Sequence, residues 1–274
     1  MNQIGSSRRG GTLRMASAFT MAFQPIVDVN DGWRPFAYEA LLRGTNGETA
    51  GTILANVPAD DILAFDAACR KKALELAQFL GLRSRLSLNV TAEAAGNYRH
   101  GLHATLRVAR EIGFPASKLI FEITEQSPIE RVHKLSRWMV AARNRGITVA
   151  LDDFGSGHAN IGTLLRLRPH IVKLDMELVR GINADRSRQA LVRGIASACE
   201  GFGSLVIAEG VEAEEEFRKL RELGISLMQG FFIARPAIAS LPQTVSPSPS
   251  FARSRMTRSD GRPRDETIGG ALYG

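Results

Sequence analysis

The sequence predicts an α/β fold, a TIM-like (β/α)8 barrel with an irregular start. Short apolar runs alternate with longer amphipathic segments between about residues 19 and 240, a pattern that favours parallel strands joined by crossover helices. The apolar runs number about eight, which favours a closed barrel over an open sheet. A chain of 274 residues is long enough for one such barrel in a single domain.

The predicted strands are short and apolar, and β-branched residues are frequent in them. The first two, residues 19–29 and 36–43, indicate a hairpin rather than a strand–helix unit. The others alternate with helical segments and predict parallel strands at residues 85–90, 118–123, 147–152, 170–175, 204–209 and 225–230.

The longer segments between the strands predict helices. The clearest is DILAFDAACRKKALELAQFL, which repeats apolar residues at three- and four-residue spacing. Gly146 and Gly224 precede predicted strands, a position typical of glycine that ends a helix. The predicted helices are residues 61–80, 99–112, 128–145, 158–166, 186–201 and 213–223.

The positive charge is concentrated at the two ends of the chain. Residues 1–18 carry three arginines and no acid, and residues 237–274 carry five arginines against three acids, so the ends hold most of the net charge of +7. Residues 1–18 and the Ser/Pro/Arg-rich tail 241–274 are predicted to be disordered, and the barrel is assigned to residues 19–240. Contact of the tails with RNA, membrane or protein is an alternative, but no specific nucleic acid is expected as a partner.

Composition also predicts the compartment. The sequence contains no apolar run long enough to span a membrane and no apolar signal-peptide core near its beginning. Cys69 and Cys199 stand far apart in predicted helices, and buried free thiols fit a reducing cytoplasm. We therefore expect a cytoplasmic protein.

Nearly every predicted strand ends in a polar residue. In a barrel those ends form one rim, where active sites are built. Any one of these residues could instead cap the following helix, but their number in equivalent positions favours a common site. They are Glu39, Asn89, Glu122, Asp152, Asp153, Lys173, Glu209 and Gln229.

Five of these rim residues are carboxylates, and two are amides. A ligand set of oxygens without histidine or cysteine suits Mg²⁺ or Mn²⁺ rather than Zn²⁺. Five carboxylates exceed the need of one Mg²⁺, so two ions about 3.5–4 Å apart are expected, an arrangement that activates water for displacement at phosphorus. The adjacent pair Asp152 and Asp153 would then be neutralised by metal.

Seven ordered sequence blocks resemble one known family, the EAL domains, which are cyclic di-GMP-specific phosphodiesterases of bacteria. The resemblance extends from about Phe23 to Pro236. Its blocks are YEALLR (38–43), LNVT (88–91), FEITE (121–125), LDDFGSG (151–157), VKLD (172–175), IAEGVE (207–212) and QGFF (229–232).

The resemblance implies a barrel with an antiparallel first strand, two Mg²⁺ or Mn²⁺ ions, a homodimer, and hydrolysis of cyclic di-GMP to linear pGpG. By the same resemblance Lys173 lies near the attacking water, and either Lys173 or Glu209 is the base. The implied metal ligands are Glu39, Asn89, Glu122, Asp152 and Asp153, completed by Glu209 and Gln229.

The resemblance also implies residues that hold the substrate and a loop. Arg43 resembles a phosphate clamp, for which a planar guanidinium is suited. Gln24 and Pro25 resemble the guanine-contacting start of the domain. Glu212 and the loop 154–158 resemble a pair that couples metal binding to dimerisation, with Glu125 as a support residue.

Some positions depart from the family pattern. Gly44 stands where many members have tryptophan, and Thr91 replaces a serine. His158 replaces a common tyrosine in the loop, which concerns loop motion rather than metal binding. Two alternatives therefore accompany the enzyme: a receptor or interaction module that binds cyclic di-GMP without cutting it, with an unidentified regulatory protein as partner, and a nucleic-acid-binding role of the tails.

Overall fold

Eight strands close into a barrel in the computed structural model, which describes residues 19–96, 99–124, 129–156 and 161–244. The predicted fold class is thereby confirmed. The predicted disorder of residues 1–18 and of the tail beyond Thr244 concerns residues outside these ranges, so it stays a prediction.

The first two strands form the predicted hairpin. β1 (Phe19–Asp28) runs antiparallel to β2 (Arg34–Gly44), with Phe19 opposite Gly44 and Asp28 opposite Arg34. The antiparallel first strand implied by the family resemblance is therefore present.

The remaining strands run parallel in chain order. Each pairs with the next, from β2 to β8, and β8 then closes the barrel by pairing antiparallel with Val27 and Asp28 of β1. These strands are β3 (Arg85–Asn89), β4 (Leu119–Thr124), β5 (Thr148–Phe154), β6 (Ile171–Leu174), β7 (Leu205–Ala208) and β8 (Leu227–Met228).

The seam between β1 and β8 is covered by a ninth strand that the sequence pattern did not predict. Since β8 pairs only with the end of β1, the edge of β1 nearer Phe19 is left for β9 (Ala237–Ile238), which pairs antiparallel with Ala22 and Phe23. Covering this edge satisfies backbone groups that could otherwise pair with another chain.

Helices connect the parallel strands, mostly where they were predicted. Short elements were missed, and predicted helix 99–112 divides into a π-helical turn, Arg99–His103, and an α-helix. The backbone packs closely at this turn, because a Cβ at Gly101 would lie 2.5 Å from the carbonyl oxygen of Ala94. The α-helices are α1 (Ala50–Leu54), α2 (Ile62–Phe79), α3 (Ala92–Gly96), α4 (Ala104–Glu111), α5 (Ile129–Arg143), α6 (Ile161–Leu167), α7 (Met176–Val179), α8 (Arg186–Phe202) and α9 (Glu214–Glu222).

An apolar layer fills the barrel interior, with contributions from seven strands. Each of these side chains is almost fully buried, and burial of a large aliphatic side chain contributes about 1.5–3 kcal/mol. The layer forms the floor on which the rim residues stand. It consists of Ile26, Ala37, Ile120, Ala150, Ile171, Ile207 and Leu227.

No helix in the described part of the chain is long and apolar enough to cross a membrane.

Candidate functional site

The rim residues occupy the layer directly above the apolar floor. Side chains two positions apart on a strand point to the same face, and each floor residue has a polar residue two positions away, on its strand or directly after it. Ile120 precedes Glu122, Ile171 precedes Lys173, and Ile207 precedes Glu209 in this way. Strand periodicity thus brings together side chains that lie up to 205 residues apart in the sequence, as in the hydrogen bond between Gln24 and Gln229.

A β-bulge places both adjacent aspartates at the rim. Consecutive strand residues normally point to opposite faces, but the pairing of β5 with β6 shifts between Leu151 and Phe154. Asp153 adopts a left-handed backbone conformation with φ of 56°, which aspartate tolerates better than most residues. Ligand oxygens of Asp152, Asp153 and Glu209 consequently lie within 4.8 Å of one another.

Lys173 stands at the centre of this ring. Its Nζ lies 2.6 Å from Glu209 Oε1 and 2.9 Å from Asp152 Oδ1. Glu122 and Glu39 are also within ion-pair distance, at 3.0 and 3.5 Å. A side chain that is only 1% exposed thus provides one positive charge for four carboxylates.

Amide and hydroxyl groups hold the carboxylates in place. Gln229 Nε2 donates to Glu39 Oε2 at 2.8 Å and to Gln24 Oε1 at 3.2 Å, while Asn89 Nδ2 donates to Glu39 Oε1 at 3.1 Å. The Ser87 hydroxyl donates to Glu122 Oε1 at 2.6 Å. These donors fix the orientation of the carboxylates.

Several rim oxygens lack a hydrogen-bond donor, and this fits a metal site. Within the described residues, Glu122 Oε2, Asp152 Oδ1 and Gln229 Oε1 are buried without a hydrogen-bond partner. The first two lie near the Lys173 ammonium but not in hydrogen-bond geometry. Buried oxygens without donors are costly, and oxygen ligands are what Mg²⁺ and Mn²⁺ prefer. The residues present therefore suit divalent cations.

The buried charges perturb one another. Burial raises the pKa of Glu122 and of Glu209 well above their usual range. Burial, together with the charge of Asp152, raises the pKa of Asp153 to about 6. Burial also acts to raise the pKa of Glu39, but the Lys173 charge and the hydrogen bonds from Gln229 and Asn89 outweigh it and lower that pKa.

Burial alone would lower the pKa of Lys173. The surrounding carboxylates, Asp152 and Glu122 foremost, outweigh burial and raise it well above its usual range. In the protein without metal, Lys173 is therefore a protonated cation that neutralises part of the acidic rim.

A cavity of about 350 Å³ opens over the rim. Gly210, directly after Glu209, has φ of 66°, and a Cβ there would lie 2.4 Å from the Cβ of Met176. Glycine is thus required for the close packing of this loop against α7. The lining includes Gln24, Glu39, Asp152, Asp153, Lys173, Glu209 and Gln229 from the rim, Met176 from α7, and Asp175, Arg180, Glu212 and Phe231 from the loops.

A neighbouring cavity of about 380 Å³ shares Glu39 with the first. Arg43 and Asn89 line it together with apolar residues of β2 and α2, such as Leu42 and Phe65. The Arg43 guanidinium donates to the carbonyl oxygen of Leu42 at 2.7 Å. The predicted phosphate clamp is therefore next to the rim and outside the carboxylate cluster.

The residues predicted to contact guanine or to support the loop after β5 take up different positions relative to the cavity. Gln24 lines the cavity, whereas Pro25, the next residue on β1, is buried outside the cavity lining. Glu212 pairs with Arg180 at 2.6 Å rather than with the described part of the loop 154–158. Glu125 and His158 lie outside the described residues.

Several contributors to the site escaped the sequence interpretation, among them Ser87, Met176 and Arg180. Ser87 shares a strand face with Asn89, so strand periodicity could have identified it. Met176 and Arg180 reach the cavity from the short helix α7 and the residue after it. No periodic signal distinguishes a four-residue helix.

Comparisons with known proteins agree with this geometry. The family sequence model described as EAL domain matches residues 12–236. The chain is 31% identical over 230 residues to the cyclic di-GMP phosphodiesterase PdeB of Shewanella oneidensis, covering 78% of this chain and 26% of that protein. It is 26% identical to the blue light- and temperature-regulated antirepressor BluF of Escherichia coli, covering 82% and 56% respectively. The chain thus spans little more than half of BluF and about a quarter of PdeB.

Solved structures resemble the whole barrel. A standalone EAL protein from Vibrio cholerae, in a cyclic di-GMP-bound form, matches with a TM-score of 0.78 and 37% identity over 86% of this chain and 98% of that chain. The manganese and cyclic di-GMP complex of BlrP1 from Klebsiella pneumoniae matches with a TM-score of 0.77 and 31% identity over 81% and 57%. A calcium and cyclic di-GMP complex of BlrP1 matches with a TM-score of 0.79 and 30% identity over 84% and 58%.

Proposed function

This chain belongs to the EAL domain family, and from that premise we propose that it hydrolyses cyclic di-GMP to linear pGpG. The observation that carries the proposal is the convergence of five carboxylates and Lys173 at one rim. At the centre of this rim, one carboxylate oxygen each from Asp152, Asp153 and Glu209 lie within 4.8 Å of one another.

We propose that two Mg²⁺ or Mn²⁺ ions bind at this rim. Their ligands would come from Glu39, Asn89, Glu122, Asp152 and Asp153, completed by Glu209 and Gln229. When bound, such ions lower the pKa of water and stabilise the negative charge that develops on a phosphodiester. The buried oxygens without donors support this assignment.

The protein side chains then have separate tasks. Lys173 orients the attacking water and stabilises negative charge through its ammonium group. The base is Lys173 or Glu209. Nearby cations would lower the pKa of Lys173 and so favour its release of a proton. Glu209 lies 2.6 Å from Lys173 Nζ, close enough for a proton to pass between them.

The two adjoining cavities suit a substrate with two nucleotide units. In this proposal Gln24 contacts a guanine from the first cavity, and Arg43 holds a phosphate from the second. Pro25 lines neither of these two cavities. A contact of Pro25 with guanine therefore rests on the family resemblance alone. Glu212, with Glu125, is proposed to support the loop after β5.

The test is turnover of cyclic di-GMP with Mg²⁺ or Mn²⁺, measured by the appearance of pGpG. We expect Asp152→Ala to lower the rate about a hundred-fold or more, as loss of a group that stabilises transition-state charge does. Asp60→Ala, at an exposed position, is the matched control and should keep the parental rate. Equal turnover by both variants would remove the rim from the chemistry.

A second candidate function is a cyclic di-GMP receptor. The similarity to the antirepressor BluF favours it, because that relative is named for regulation rather than for hydrolysis. Calorimetric binding of cyclic di-GMP without any pGpG would support the receptor over the enzyme.

We also propose a homodimer, a regulatory protein partner and a cytoplasmic location. The dimer and the partner rest on the family resemblance, and sedimentation velocity tests the dimer. The compartment is supported by two free thiols, Cys69 and Cys199, whose pKa burial raises to about 12 and about 11. Such thiols are largely unreactive.

A further inference from the structure

A basic cavity of about 360 Å³ lies at the amino ends of β2, β3 and β4. It is defined by Arg34, Arg83, Ser84, Arg85 and Lys118, and we call it the amino-end cavity. The catalytic rim is built at the opposite, carboxyl ends of the same strands. On β3, Arg85 and Asn89 are four residues apart, or about 13 Å along the strand.

Positive charge dominates this cavity. Four cationic side chains line it, and the acids in its lining are Asp28 and Asp31. Asp31 is near Arg34, 3.9 Å away, and Asp28 accepts a hydrogen bond from the backbone of Asn30. Among the described residues, no carboxylate forms an ion pair with Arg83, Arg85 or Lys118.

Two of the cations are held in place by neutral partners. The Arg85 guanidinium lies 4.5 Å from the centre of the Phe36 ring, a cation–π contact that leaves its edge N–H groups available. Lys118 Nζ donates to the carbonyl oxygen of Arg83 at 2.7 Å and keeps further donors. The charges of Arg85 and Lys118 are therefore held in place without being neutralised by a described carboxylate.

A hydroxyl in the lining also lacks a partner. Ser84 Oγ is buried and makes no hydrogen bond to any described residue, although most buried hydroxyls in proteins are paired. Ser84 lies between Arg83 and Arg85 in the sequence and lines the cavity with them. An anion bound in the cavity would accept hydrogen bonds from the accessible N–H groups of Arg83, Arg85 and Lys118, which no described carboxylate pairs.

We propose that the amino-end cavity binds the phosphate group of a small soluble phosphomonoester or of free phosphate. Guanidinium groups match the oxygens of phosphate geometrically, and a lysine and hydroxyls add further donors. The volume exceeds what phosphate alone occupies and admits a group attached to it. The inference does not depend on the proposed hydrolysis, because none of these residues takes part in it.

The test is calorimetric titration of the full chain with inorganic phosphate and, separately, with GMP at constant ionic strength. EDTA is included so that the acidic rim, free of metal, repels these anions. We expect the double variant Arg83→Gln/Arg85→Gln to raise Kd about ten-fold or more, as loss of charge-assisted hydrogen bonds does. The matched control Arg193→Gln, an exposed arginine on α8, should keep the parental Kd.

Loss of phosphate or GMP binding in the double variant, with binding retained in Arg193→Gln, would support the site. Comparison of the Kd values for phosphate and GMP would show whether an attached nucleoside adds affinity. Failure of both anions to bind, equal binding by the double variant, or equal binding of acetate would overturn it. Melting temperatures without anion check the fold. If the double variant does not fold, Arg83→Gln alone replaces it, because its side chain has no described partner to lose.

Discussion

At the scale of single residues, Lys173 combines a formal charge with almost complete burial. Four carboxylates surround its ammonium group and keep it protonated. Its positive charge in turn offsets part of their negative charge. Removing one partner of a buried ion pair leaves the other charge uncompensated and is strongly destabilising. The lysine therefore contributes to stability as well as to the proposed chemistry.

Lys173→Met should lower the free energy of unfolding in metal-free buffer by about 3 kcal/mol. Added Mn²⁺ should restore part of that loss, since the ion replaces the missing positive charge. Chemical denaturation with and without Mn²⁺ measures both effects. Lys71→Met is the control, because Lys71 is 59% exposed and pairs with Glu75 at 3.7 Å, so its loss should cost less than about 1 kcal/mol. Equal losses in the two variants would contradict a stabilising role of the buried lysine.

His170 predicts a pH dependence of stability. Its Nδ1 accepts a hydrogen bond from the backbone of Val149 at 3.0 Å, and burial, aided by the charge of Arg143, lowers its pKa below the ordinary 6.5. The unfolded chain therefore takes up a proton at a higher pH than the folded protein does. The stabilising contribution is complete above pH 6.5 and is lost as the pH falls through the lower folded pKa.

His170→Asn keeps an acceptor for Val149 and removes this titration. Melting curves between pH 7.5 and 5 should therefore fall less steeply for the variant than for the parent, within the range near and below the unfolded pKa. Parallel curves for parent and variant would show that His170 does not contribute to the acid response.

At the scale of elements, the bulge in β5 determines which carboxylates reach the rim. It turns a strand that would send Asp152 and Asp153 to opposite faces into one that directs both toward Glu209. A left-handed backbone conformation at position 153 is what makes this possible.

Asp153→Val should have a free energy of unfolding about 1–2 kcal/mol lower than Asp153→Asn, because a β-branched residue is strained at positive φ and asparagine tolerates this conformation. Both variants remove the same half-buried carboxylate, so the difference between them isolates the backbone strain. Urea denaturation of the metal-free proteins distinguishes backbone strain from loss of metal binding. If valine were tolerated as well as asparagine, the bulge would have an alternative conformation of similar energy.

Much of this element structure follows from the sequence. The eight strands carry enough apolar and β-branched residues to be predicted, and glycines with positive φ, such as Gly146 and Gly224, end helices as expected. The helices α1, α3 and α7 were missed because four or five residues span little more than one helical turn and show no repeat. β9 was missed because its two residues stand between Pro236 and Ser240 rather than in a longer apolar run. The β5 bulge was missed because it arises from pairing with β6, which no local pattern of residues specifies.

The site was predictable to a different degree. The polar residue at each strand end was visible, and strand periodicity explains why these residues share a layer. Other features of the site depend on distances in the folded structure. They are the central position of Lys173, the ion pair between Arg180 and Glu212, and the location of Arg43 in the neighbouring cavity. A sequence records residue order and not those distances.

At the scale of the whole molecule, the cavities at the two ends of the barrel are lined by opposite charges. The carboxyl end gathers Glu39, Glu122, Asp152, Asp153 and Glu209 around one lysine, whereas the amino-end cavity gathers four cations against two acids. The same strands thus carry the proposed cation site at one end and the proposed anion site at the other. Binding at the acidic end relieves repulsion that folding creates, so folding and metal binding should be coupled.

The melting temperature should therefore rise with Mg²⁺ or Mn²⁺ concentration. A ligand that binds only the folded state at a hundred times its Kd adds about 2.7 kcal/mol. The rise should be smaller in Asp152→Ala and unchanged in Asp60→Ala, measured by scanning calorimetry against an EDTA reference. A metal response of equal size in Asp152→Ala would locate the bound ions away from this rim.

The seam between the first and last strands has a consequence for synthesis of the protein. Gln24 comes from β1 and Gln229 from the residue after β8, and their side chains meet across the seam, next to Glu39. A growing polypeptide therefore holds an incomplete site until the last strand has left the ribosome, although most of the acidic residues are already present. Products of premature termination before Leu227 would lack both the strand that closes the barrel and the Gln229 amide that donates to Glu39, so these truncated chains should be inactive.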